Sequence, residues 1–323
     1  MPATLAQAHI DAFCQQSRVR AGSVIISVFG DAVYPRGGRL WLGSLIRLLQ
    51  PLGISERLIR TSVFRLVQEG WLRTEAHGRK ADYLLTAAGQ QRIEDAARHI
   101  YASSPPVWDR RWRLILTVGD VTARERELLR RAMFWQGFGQ LGGDCFIHPS
   151  ADLAAASDAL LTDGLGELLH KLMPLLAVEN HFGNSARDVD MILHAWNLEQ
   201  LGASYTAFVE RYRPLLEALR HQAGDTLGNE HAFLLRTLII HEYRRLLLRD
   251  PELPAELLPH DWPGNEARIM CREFYRRLLP ASERHLDSHL QCANGDVPAA
   301  RELLHQRFQA EDPFADLPLS GNH

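Results

Sequence analysis

The segment ISERLIRTSVFRLVQEGW, Ile54–Trp71, gives the clearest indication of how the first hundred residues fold. At about 100° per residue, one arc of a helix collects four apolar side chains, Ile59, Val63, Leu66 and Val67. The opposite side is basic with one aromatic ring, and its members are Arg57, Arg60, Thr61, Phe64, Arg65 and Gln68. Ser55 suits the N-cap and Gly70 suits the helix end. The pattern predicts a helix with one packing face and one basic face.

The segments on either side of this helix predict a winged helix. Upstream, residues 40–52 (LWLGSLIRLLQPL) have the apolar period of a second helix, disturbed at Pro51. The short link through Gly53 makes a helix-turn-helix. Downstream, Trp71–Glu75 and Ala81–Leu85 are expected to be strands. The turn between them is expected to be basic and to consist of His77, Gly78, Arg79 and Lys80.

The charge of the chain is distributed unevenly. The 323 residues have a formal net charge of −3. Residues 1–100 contain 13 basic and 8 acidic side chains, a net charge of +5. The remaining residues contain 23 basic and 31 acidic side chains, a net charge of −8. A basic N-terminal part on an acidic body indicates that this part meets a polyanion.

Together, these features predict that the N-terminal part binds double-stranded DNA. A major groove admits a helix, and arginine can form two hydrogen bonds with guanine. Arg57, Arg60 and Thr61 lie near the start of the helix, where recognition helices contact base edges. The other candidates are expected to contact phosphates or the minor groove, and they are Arg65, His77, Arg79 and Lys80. The alternative is a solvated charged face on a winged-helix interaction module.

Several segments resemble PaaX-type regulators, which are repressors of bacterial phenylacetate-degradation genes. The resemblance begins at GDAVYPRGGRLWLGSLIRLLQPLGISERLIRTSVFRLVQEGWL and continues at GRKADYLLTAAG, WDRRWRLILTV and FWQGFGQL. Its most specific part is IIHEYRRLLLRDPELPAELLPHDWPG, and it covers nearly the whole chain up to about Leu290. The resemblance implies a winged helix, a small α/β middle domain and a helical C-terminal domain. It also implies an effector, phenylacetyl-CoA, that releases the repressor from DNA.

The expected fold class is therefore α+β and mainly helical, with an N-terminal winged helix-turn-helix. The expected parts are a winged-helix domain (1–102), a ferredoxin-like middle domain (107–190), a helical C-terminal domain (191–290) and a mobile tail (291–323). Thr86 is expected to cap a helix over residues 87–101. Ser103–Pro106 is the expected linker, because proline stiffens it and serine solvates it. It is also our candidate for the hinge that transmits an effector signal.

The middle domain is predicted from a β-α-β-α order. Its expected elements are a strand at Arg113–Val118, a helix at Arg124–Trp135, a strand within Gly137–His148 and a helix at Ala151–Leu161. In PaaX-type regulators this domain looks like the small CRISPR-associated endoribonucleases, which keep an acidic residue where Asp120 stands here. One carboxylate without neighbouring ligands holds a catalytic metal poorly. Asp120 is therefore expected to cap the helix that follows it.

From Trp196 onward the chain is expected to be mainly helical. An acyl-CoA needs cations for its phosphates and apolar or aromatic walls for its rings. The candidate effector-binding residues form a cationic run near a tryptophan, and they are Arg236, His241, Arg244, Arg245 and Trp262. The alternative is that these arginines fix the helix to the following loop by pairing with Glu242, Asp250 and Glu252.

Composition indicates a cytoplasmic protein. No apolar run approaches the roughly 18 residues of a membrane-spanning helix. The N-terminus lacks the basic segment and apolar core of a secretory signal. The four cysteines are far apart and form no C-x-x-C pair, which favours reduced thiols over disulfides or a zinc site. No catalytic residues, metal site or resident cofactor are predicted.

Three functions compete at this point. The first is a repressor of aromatic-acid catabolism that phenylacetyl-CoA releases from DNA. We expect it to be a homodimer with contacts outside the winged helix, because two-fold dimers match palindromic operators with half-sites about 34 Å apart. The second is an activator, or a regulator that responds to another acyl-CoA. The third is an enzyme for CoA thioesters with a DNA-binding head, which would need catalytic residues that the sequence does not indicate.

Overall fold

The computed structural model describes residues 2–16, 19–178, 187–221, 227–300, 304 and 307–308. This part of the chain is mainly helical with two small sheets, which confirms the expected α+β class. The α-helices are α1 (Pro2–Cys14), α2 (Ala21–Val28), α3 (Leu42–Leu49), α4 (Glu56–Gln68), α5 (Ala87–Ile100), α6 (Ala123–Trp135), α7 (Leu153–Thr162), α8 (Asp188–Ala195), α9 (Leu198–Arg220), α10 (Asn229–Leu247) and α11 (Pro263–His289). The strands are β1 (Arg39–Trp41), β2 (Leu72–His77), β3 (Lys80–Leu85), β4 (Trp112–Thr117), β5 (Gly139–Leu141), β6 (Cys145–His148) and β7 (Leu172–Ala177). Within the described ranges, no helix is long and apolar enough to cross a bilayer.

Helix α4 begins and ends as the sequence predicts. The Ser55 side chain accepts a hydrogen bond from the backbone N–H of Leu58 at 3.3 Å and so caps the helix. Gly70 follows the last turn with φ at +71°, in the left-handed region that favours glycine. The side chains that α4 buries are Ile59, Ser62, Val63 and Leu66. The predicted packing face is therefore the observed one.

The helix expected over residues 40–52 is shorter than predicted. Leu40 and Trp41 belong to β1, which pairs with β3, and α3 begins only at Leu42. Pairing with a strand distant in sequence takes these two residues out of the helix, and the helical period could not reveal that. After α3 a 3-10 turn includes Pro51, which cannot donate a backbone hydrogen bond. Gly53 then reverses the chain with φ at +72°.

The wing is a longer hairpin with a tighter turn than expected. The first sheet has the antiparallel order β1-β3-β2. Its ladder extends to the pair His77 and Lys80, so the turn contains only Gly78 and Arg79. Gly78 has φ at +59°, as two-residue hairpin turns commonly require. Thr86 caps α5 as predicted, accepting a backbone hydrogen bond of 2.9 Å.

Contacts between Cα atoms divide the chain into two compact units, the first of which comprises residues 1–103, 208–244 and 266–323. Its hydrophobic core joins α2, α3 and α4 to side chains of α10 and α11, namely Phe233, Leu234, Leu238 and Leu286. The winged helix and these helical segments therefore share one core. The domain limits expected from the sequence stay a prediction.

The segment after α11 packs within this first unit as far as it is described. Ala293, Leu304 and Phe308 are buried there, and Arg307 donates a hydrogen bond to the Asp31 carbonyl at 2.7 Å. The other residues of the tail expected over 291–323 are described only up to residue 300. The expectation of mobility for the rest falls outside the described residues.

The second unit comprises residues 104–207 and 245–265, and it contains the ferredoxin-like domain. The chain runs β4-α6-β5-β6-α7-β7, and the antiparallel sheet has the order β5-β6-β4-β7. This arrangement is the ferredoxin-like one. The single strand predicted within 137–148 is in fact a pair, β5 and β6. The short turn between them contains Gly142 with φ at +67°, which an alternation pattern does not resolve.

The predicted cap of α6 was wrong. Thr122 caps this helix by accepting a hydrogen bond from Glu125 N at 3.2 Å, and the Glu125 carboxylate accepts one from Thr122 N at 2.7 Å. This is a capping box, for which the spacing T-x-x-E was the sequence signal. Asp120 lies two residues earlier, exposed in the preceding loop. It stands too far before the first turn to reach the free N–H groups.

Candidate nucleic-acid interface

The exposed face of α4 is a strip of cationic and polar side chains. The predicted members of this strip are all exposed, and they are Arg57, Arg60, Thr61 and Arg65. They face solvent because Ile59 and Val63, on the opposite arc, are 0% and 1% exposed in the core. Among the described residues, Arg57 and Arg65 form no ion pair with a carboxylate. Their charges are available to a ligand.

Arg60 and Thr61 are already engaged within the helix. Arg60 Nη2 lies 2.7 Å from Glu56 Oε1, and both side chains are more than half exposed. Helix pairs of this kind contribute about 0.3–0.5 kcal/mol, so a phosphate or a base can displace Glu56 at little cost. The Thr61 hydroxyl donates a hydrogen bond to the Arg57 carbonyl at 2.9 Å. Its methyl group and its accepting lone pair remain for a ligand.

The wing displays two kinds of cation. Arg79 is exposed in the turn, whereas Lys80 Nζ lies 4.4 Å from the centroid of the Trp41 ring. The guanidinium of Arg47 lies 5.5 Å from the same centroid. Exposed cation–π contacts contribute about 0.5–1 kcal/mol and leave the charge intact. Trp41 therefore orients two cations, one from the wing and one from α3.

Gly43 makes room for this aromatic ring. A Cβ atom at residue 43 would lie 2.5 Å from a ring carbon of Trp41, closer than any real contact. A larger residue would push the ring away from Lys80 and Arg47. The glycine in Trp-Leu-Gly at the start of α3 thus leaves space for the Trp41 ring that contacts Lys80 and Arg47.

His77 is held inside a polar network of the wing. Its Nε2 lies 3.2 Å from Glu75 Oε1, 3.6 Å from Asp82 Oδ2 and 3.2 Å from Arg39 Nη2. The Asp82 side chain is fully buried and lies 2.7 Å from Arg39 Nη2. Asp82 Oδ1 also accepts a hydrogen bond from Ala293 N at 2.6 Å. The network joins the three strands, so His77 has a structural partner whether or not it contacts DNA.

The structure places all the predicted DNA-contact residues on α4 or on the wing, in the first unit. Sequence reasoning did not select Trp41 or Arg47, because Lys80 reaches the Trp41 ring only when β3 pairs with β1. Phe64 was seen on the basic face but not selected as a contact. It is 65% exposed.

The predicted effector residue Arg236 is buried in the first unit. Its Nε lies 2.7 Å from Asp31 Oδ2, and its Nη1 lies 2.5 Å from Glu283 Oε1. Its Nη2 donates hydrogen bonds to the Asp31 carbonyl and the Tyr275 hydroxyl. Burial alone would lower the pKa of this guanidinium, but Asp31, Tyr275 and Glu283 together raise the pKa above its ordinary value. A phosphate that bound Arg236 would have to replace these partners.

His241 and Arg244 contact α2. His241 Nδ1 lies 3.0 Å from Ser27 Oγ. Arg244 Nε donates to Ser27 Oγ at 3.1 Å, and its Nη2 donates to Ser23 Oγ at 2.7 Å. The described partners of Arg244 lie on α2, and those of Arg236 are Asp31 and residues of α11, whereas the alternative from the sequence was pairing with Glu242, Asp250 and Glu252.

Arg245 and Trp262 belong to the second unit. Arg245 is exposed near the end of α10, and Trp262 is 8% exposed. The Trp262 ring packs against two glycines, because a Cβ atom would lie 3.2 Å from it at Gly202 and 2.5 Å from it at Gly264. The contacts give Trp262 a packing role. The assignment of these five residues to an effector stays a prediction.

No group of three or more histidine, cysteine, aspartate and glutamate side chains in the described ranges is arranged to hold a metal ion. The cysteines are free thiols: Cys14, Cys145, Cys271 and Cys292.

Comparison with known proteins relates the chain to one family. Three family models match it: PaaX-like protein over residues 20–89, PaaX protein central Cas2-like domain over 105–172, and PaaX-like protein C-terminal domain over 196–288. The chain is 36% identical over 306 residues to the transcriptional repressor PaaX of Escherichia coli, across 93% of this chain and 94% of that protein. It is also similar to the solved structure of an uncharacterized protein from Mycobacterium tuberculosis, with a TM-score of 0.52 and 25% identity, over 82% of this chain and 97% of that one.

Proposed function

This chain belongs to the PaaX-like family of transcriptional repressors, and from that premise we propose that it binds operator DNA through α4 and the wing. The observation that carries the proposal is the exposed strip of α4, whose opposite face is fixed in the core. Arg57, Arg60 and Thr61 read base edges in the major groove. The residues that contact the sugar-phosphate backbone are Arg65, His77, Arg79 and Lys80. Occupation of the promoter then excludes the polymerase.

The finer proposal is that the repressed genes serve phenylacetate catabolism and that phenylacetyl-CoA releases the protein from them. Its support is the resemblance of the sequence to PaaX-type regulators and the identity to the Escherichia coli repressor. No resident cofactor is proposed. The candidate effector contacts remain Arg236, His241, Arg244, Arg245 and Trp262.

The contacts of these candidate residues link the proposed effector site to the DNA-binding helix α4. A ligand shifts an equilibrium only if it binds one state better than the other. Arg244 and His241 contact Ser27 on α2, and α2 shares its hydrophobic core with α4. An anionic effector that drew Arg244 away from α2 would alter the support under α4. The thioester would thereby favour a state that fits the operator poorly.

We further propose a homodimer whose contacts lie in the second unit, outside the winged helix. Among the described strands, β7 is at the edge of its sheet. Exposed apolar side chains lie on β7 and just after it: Met173, Leu175, Leu176 and Val178. An exposed apolar edge strand is a surface on which another chain can pair. A two-fold dimer would match a palindromic operator with half-sites about 34 Å apart.

Similarity to a transcriptional repressor over 93% of the chain favours a regulator over an enzyme. A regulator that binds promoter DNA acts in the cytoplasm of a bacterium, which is the location we propose.

The test is a fluorescence anisotropy titration of labelled DNA from the gene's own promoter region, with phenylacetyl-CoA, free phenylacetate or CoA added separately. We expect nanomolar, salt-sensitive binding that only the thioester reverses. Footprints that overlap the promoter would support repression, and footprints upstream of it would favour an activator. Tight binding that ignores the thioester would remove this effector, and absence of specific binding would contradict the DNA-binding proposal itself.

A further inference from the structure

Phe64 is the aromatic residue of the exposed strip of α4. Its side chain is 65% exposed, whereas Ile59, Val63 and Leu66 of the same helix are 0%, 1% and 4% exposed. A phenylalanine left mostly in water forgoes most of the stabilisation that its burial would contribute. Single exposed apolar residues are common on protein surfaces. The position of this one, inside the exposed cationic strip of α4, distinguishes it from that background.

Phe64 lies one turn beyond the side chains assigned to base reading. On a helix, residues three and four apart are neighbours, so Phe64 follows Arg60 and Thr61 on one face and precedes Gln68. Arg57, one further turn back, completes this line. A helix that enters a groove with Arg57, Arg60 and Thr61 brings Phe64 against the same groove.

The major groove offers one apolar group to such a ring. Among the base edges, guanine, cytosine and adenine present hydrogen-bonding atoms there, and only thymine adds a methyl group. Apolar side chains, phenylalanine included, contact that methyl group in known complexes. An aromatic wedge between base steps is a device of minor-groove binders, which approach from the other groove.

We propose that Phe64 is a specificity-determining residue that contacts a thymine methyl group in the operator. The inference rests on the proposed DNA-binding function of α4. The helix geometry also gives the position of this thymine relative to the base pair that Arg60 contacts. Four residues of α-helix rise about 6 Å, so the thymine lies about two base pairs from the one that Arg60 contacts.

The test removes the methyl group from the DNA and the ring from the protein. Promoter fragments are made with deoxyuridine in place of thymidine at one position at a time, which deletes only the methyl group. Their affinities for the wild-type protein and for Phe64→Ala are measured by anisotropy at one salt concentration. Ile269→Ala is the control variant, since Ile269 is a 46% exposed apolar residue of α11, outside α4 and the wing.

For the wild-type protein, we expect the loss of one methyl contact to weaken binding about fourfold, at one thymine of each half-site. Phe64→Ala should bind the unmodified fragment more weakly and should show no further loss with deoxyuridine at that position. Ile269→Ala should keep the wild-type affinity and the wild-type response to deoxyuridine.

Three other outcomes would overturn the inference. Specific binding by the wild-type protein that is indifferent to deoxyuridine at every position would reject Phe64 as a methyl reader and leave the proposed function intact. A methyl effect of equal size in the wild-type protein and in Phe64→Ala would assign the contact to another residue. Absence of specific binding by the wild-type protein would reject the proposed function and this inference with it. The wild-type measurement on deoxyuridine DNA does not depend on whether the variant folds.

Discussion

The guanidinium of Arg236 and the carboxylate of Asp31 meet at 2.7 Å in the interior, where their side chains are 1% and 4% exposed. Asp31 lies in a π-helical turn that follows α2, and Arg236 lies in the middle of α10. The pair thus joins the N-terminal segment to a helix some two hundred residues later. Burial of two charges is costly, and their mutual attraction offsets that cost only while both partners remain.

Arg236→Met should therefore destabilise the protein. Removal of one partner from a buried ion pair costs about 3–5 kcal/mol, because the other charge stays in the interior. We expect the lower end of that range, since Arg307 Nη1 lies 3.0 Å from Asp31 Oδ1 and still compensates it. Urea unfolding gives the change in the free energy of unfolding.

Arg245→Met is the matched control for this experiment, because Arg245 lies on the same helix and is exposed. Its free energy of unfolding should change by less than about 0.5 kcal/mol. An Arg236 variant as stable as this control would show that the buried pair does not hold α10 to the N-terminal segment.

Arg57→Ala and Arg60→Ala should lose specific operator binding and keep the fold. We expect each to cost about 1–3 kcal/mol of binding free energy and to relax preference at one base pair. Arg98→Ala is the control, since Arg98 is an exposed arginine of α5 that pairs with Asp95. Unchanged operator affinity in Arg60→Ala would leave Arg60 as a surface partner of Glu56 only.

Glu56→Gln should strengthen binding to every DNA sequence. The substitution removes a negative charge beside the phosphates and frees Arg60, whose Nη2 lies 2.7 Å from Glu56 Oε1. Anisotropy with promoter DNA and with a scrambled fragment would show a similar gain for both. A gain confined to the promoter would mean that the release of Arg60 for base reading, and not the loss of the negative charge, accounts for the effect.

Lys80→Ala should weaken binding to all sequences and lower the salt dependence of log K by about one unit. The reason is that Lys80, above the Trp41 ring, supplies one phosphate contact. Lys171→Ala is the control, because Lys171 is paired with Glu125 at 3.1 Å in the ferredoxin-like domain. A change in base preference with an unchanged salt slope would instead make the wing a reader of sequence.

Gly43→Ala should reproduce part of this loss without removing a charge. The added Cβ would displace the Trp41 ring, which it would meet at 2.5 Å. Lys80 and Arg47 would lose their shared contact with this ring. We therefore expect weaker DNA binding, with the salt dependence of log K nearly preserved. Affinity equal to that of the wild type would show that Trp41 does not position these cations.

His148 should make the ferredoxin-like domain sensitive to acid. Burial lowers the pKa of His148 from 6.5 to about 4. Its Nδ1 accepts backbone hydrogen bonds from Ser150 and Ala151, which only the neutral ring can do. His148 is therefore protonated below pH 6.5 in the unfolded chain but only below about pH 4 in the folded chain. Stability is full above pH 6.5 and falls through this window, by about 3 kcal/mol in total.

The substitution His148→Asn tests this pH dependence directly. The amide oxygen of asparagine can accept the same backbone hydrogen bonds, and the side chain does not titrate. The variant should lose less stability than the wild type between pH 7 and pH 4.5 in urea titrations. His194→Asn, at an exposed site of the same unit, should keep the wild-type pH dependence. Equal pH dependence in all three proteins would remove His148 as the source.

The sequence was sufficient for features that depend on neighbours along the chain. The packing face of α4, its Ser55 cap and Gly70 all follow from helical period and from the local supply of hydrogen-bond acceptors. The winged helix and the exposure of the basic strip follow in the same way. The β-α-β-α order predicted for the middle domain was incomplete, since the structure adds one strand to the segment 137–148 and a further strand, β7. Where the period was ambiguous, as at Leu40 and Trp41, strand pairing decided.

The partners that the charged side chains meet are determined only by the tertiary structure. Arg57 and Arg236 are both arginines within helical patterns, yet the first is exposed and the second is buried beside Asp31. Helical period indicates the exposed face of α4 but does not identify the partner of Arg236, because the free energy of a buried charge depends on a partner that the fold brings from elsewhere in the chain. The same holds for Lys80 and Trp41, which become neighbours only when β3 pairs with β1. Local period and capping thus determined the elements of this protein, and long-range pairing determined the environment of their charges.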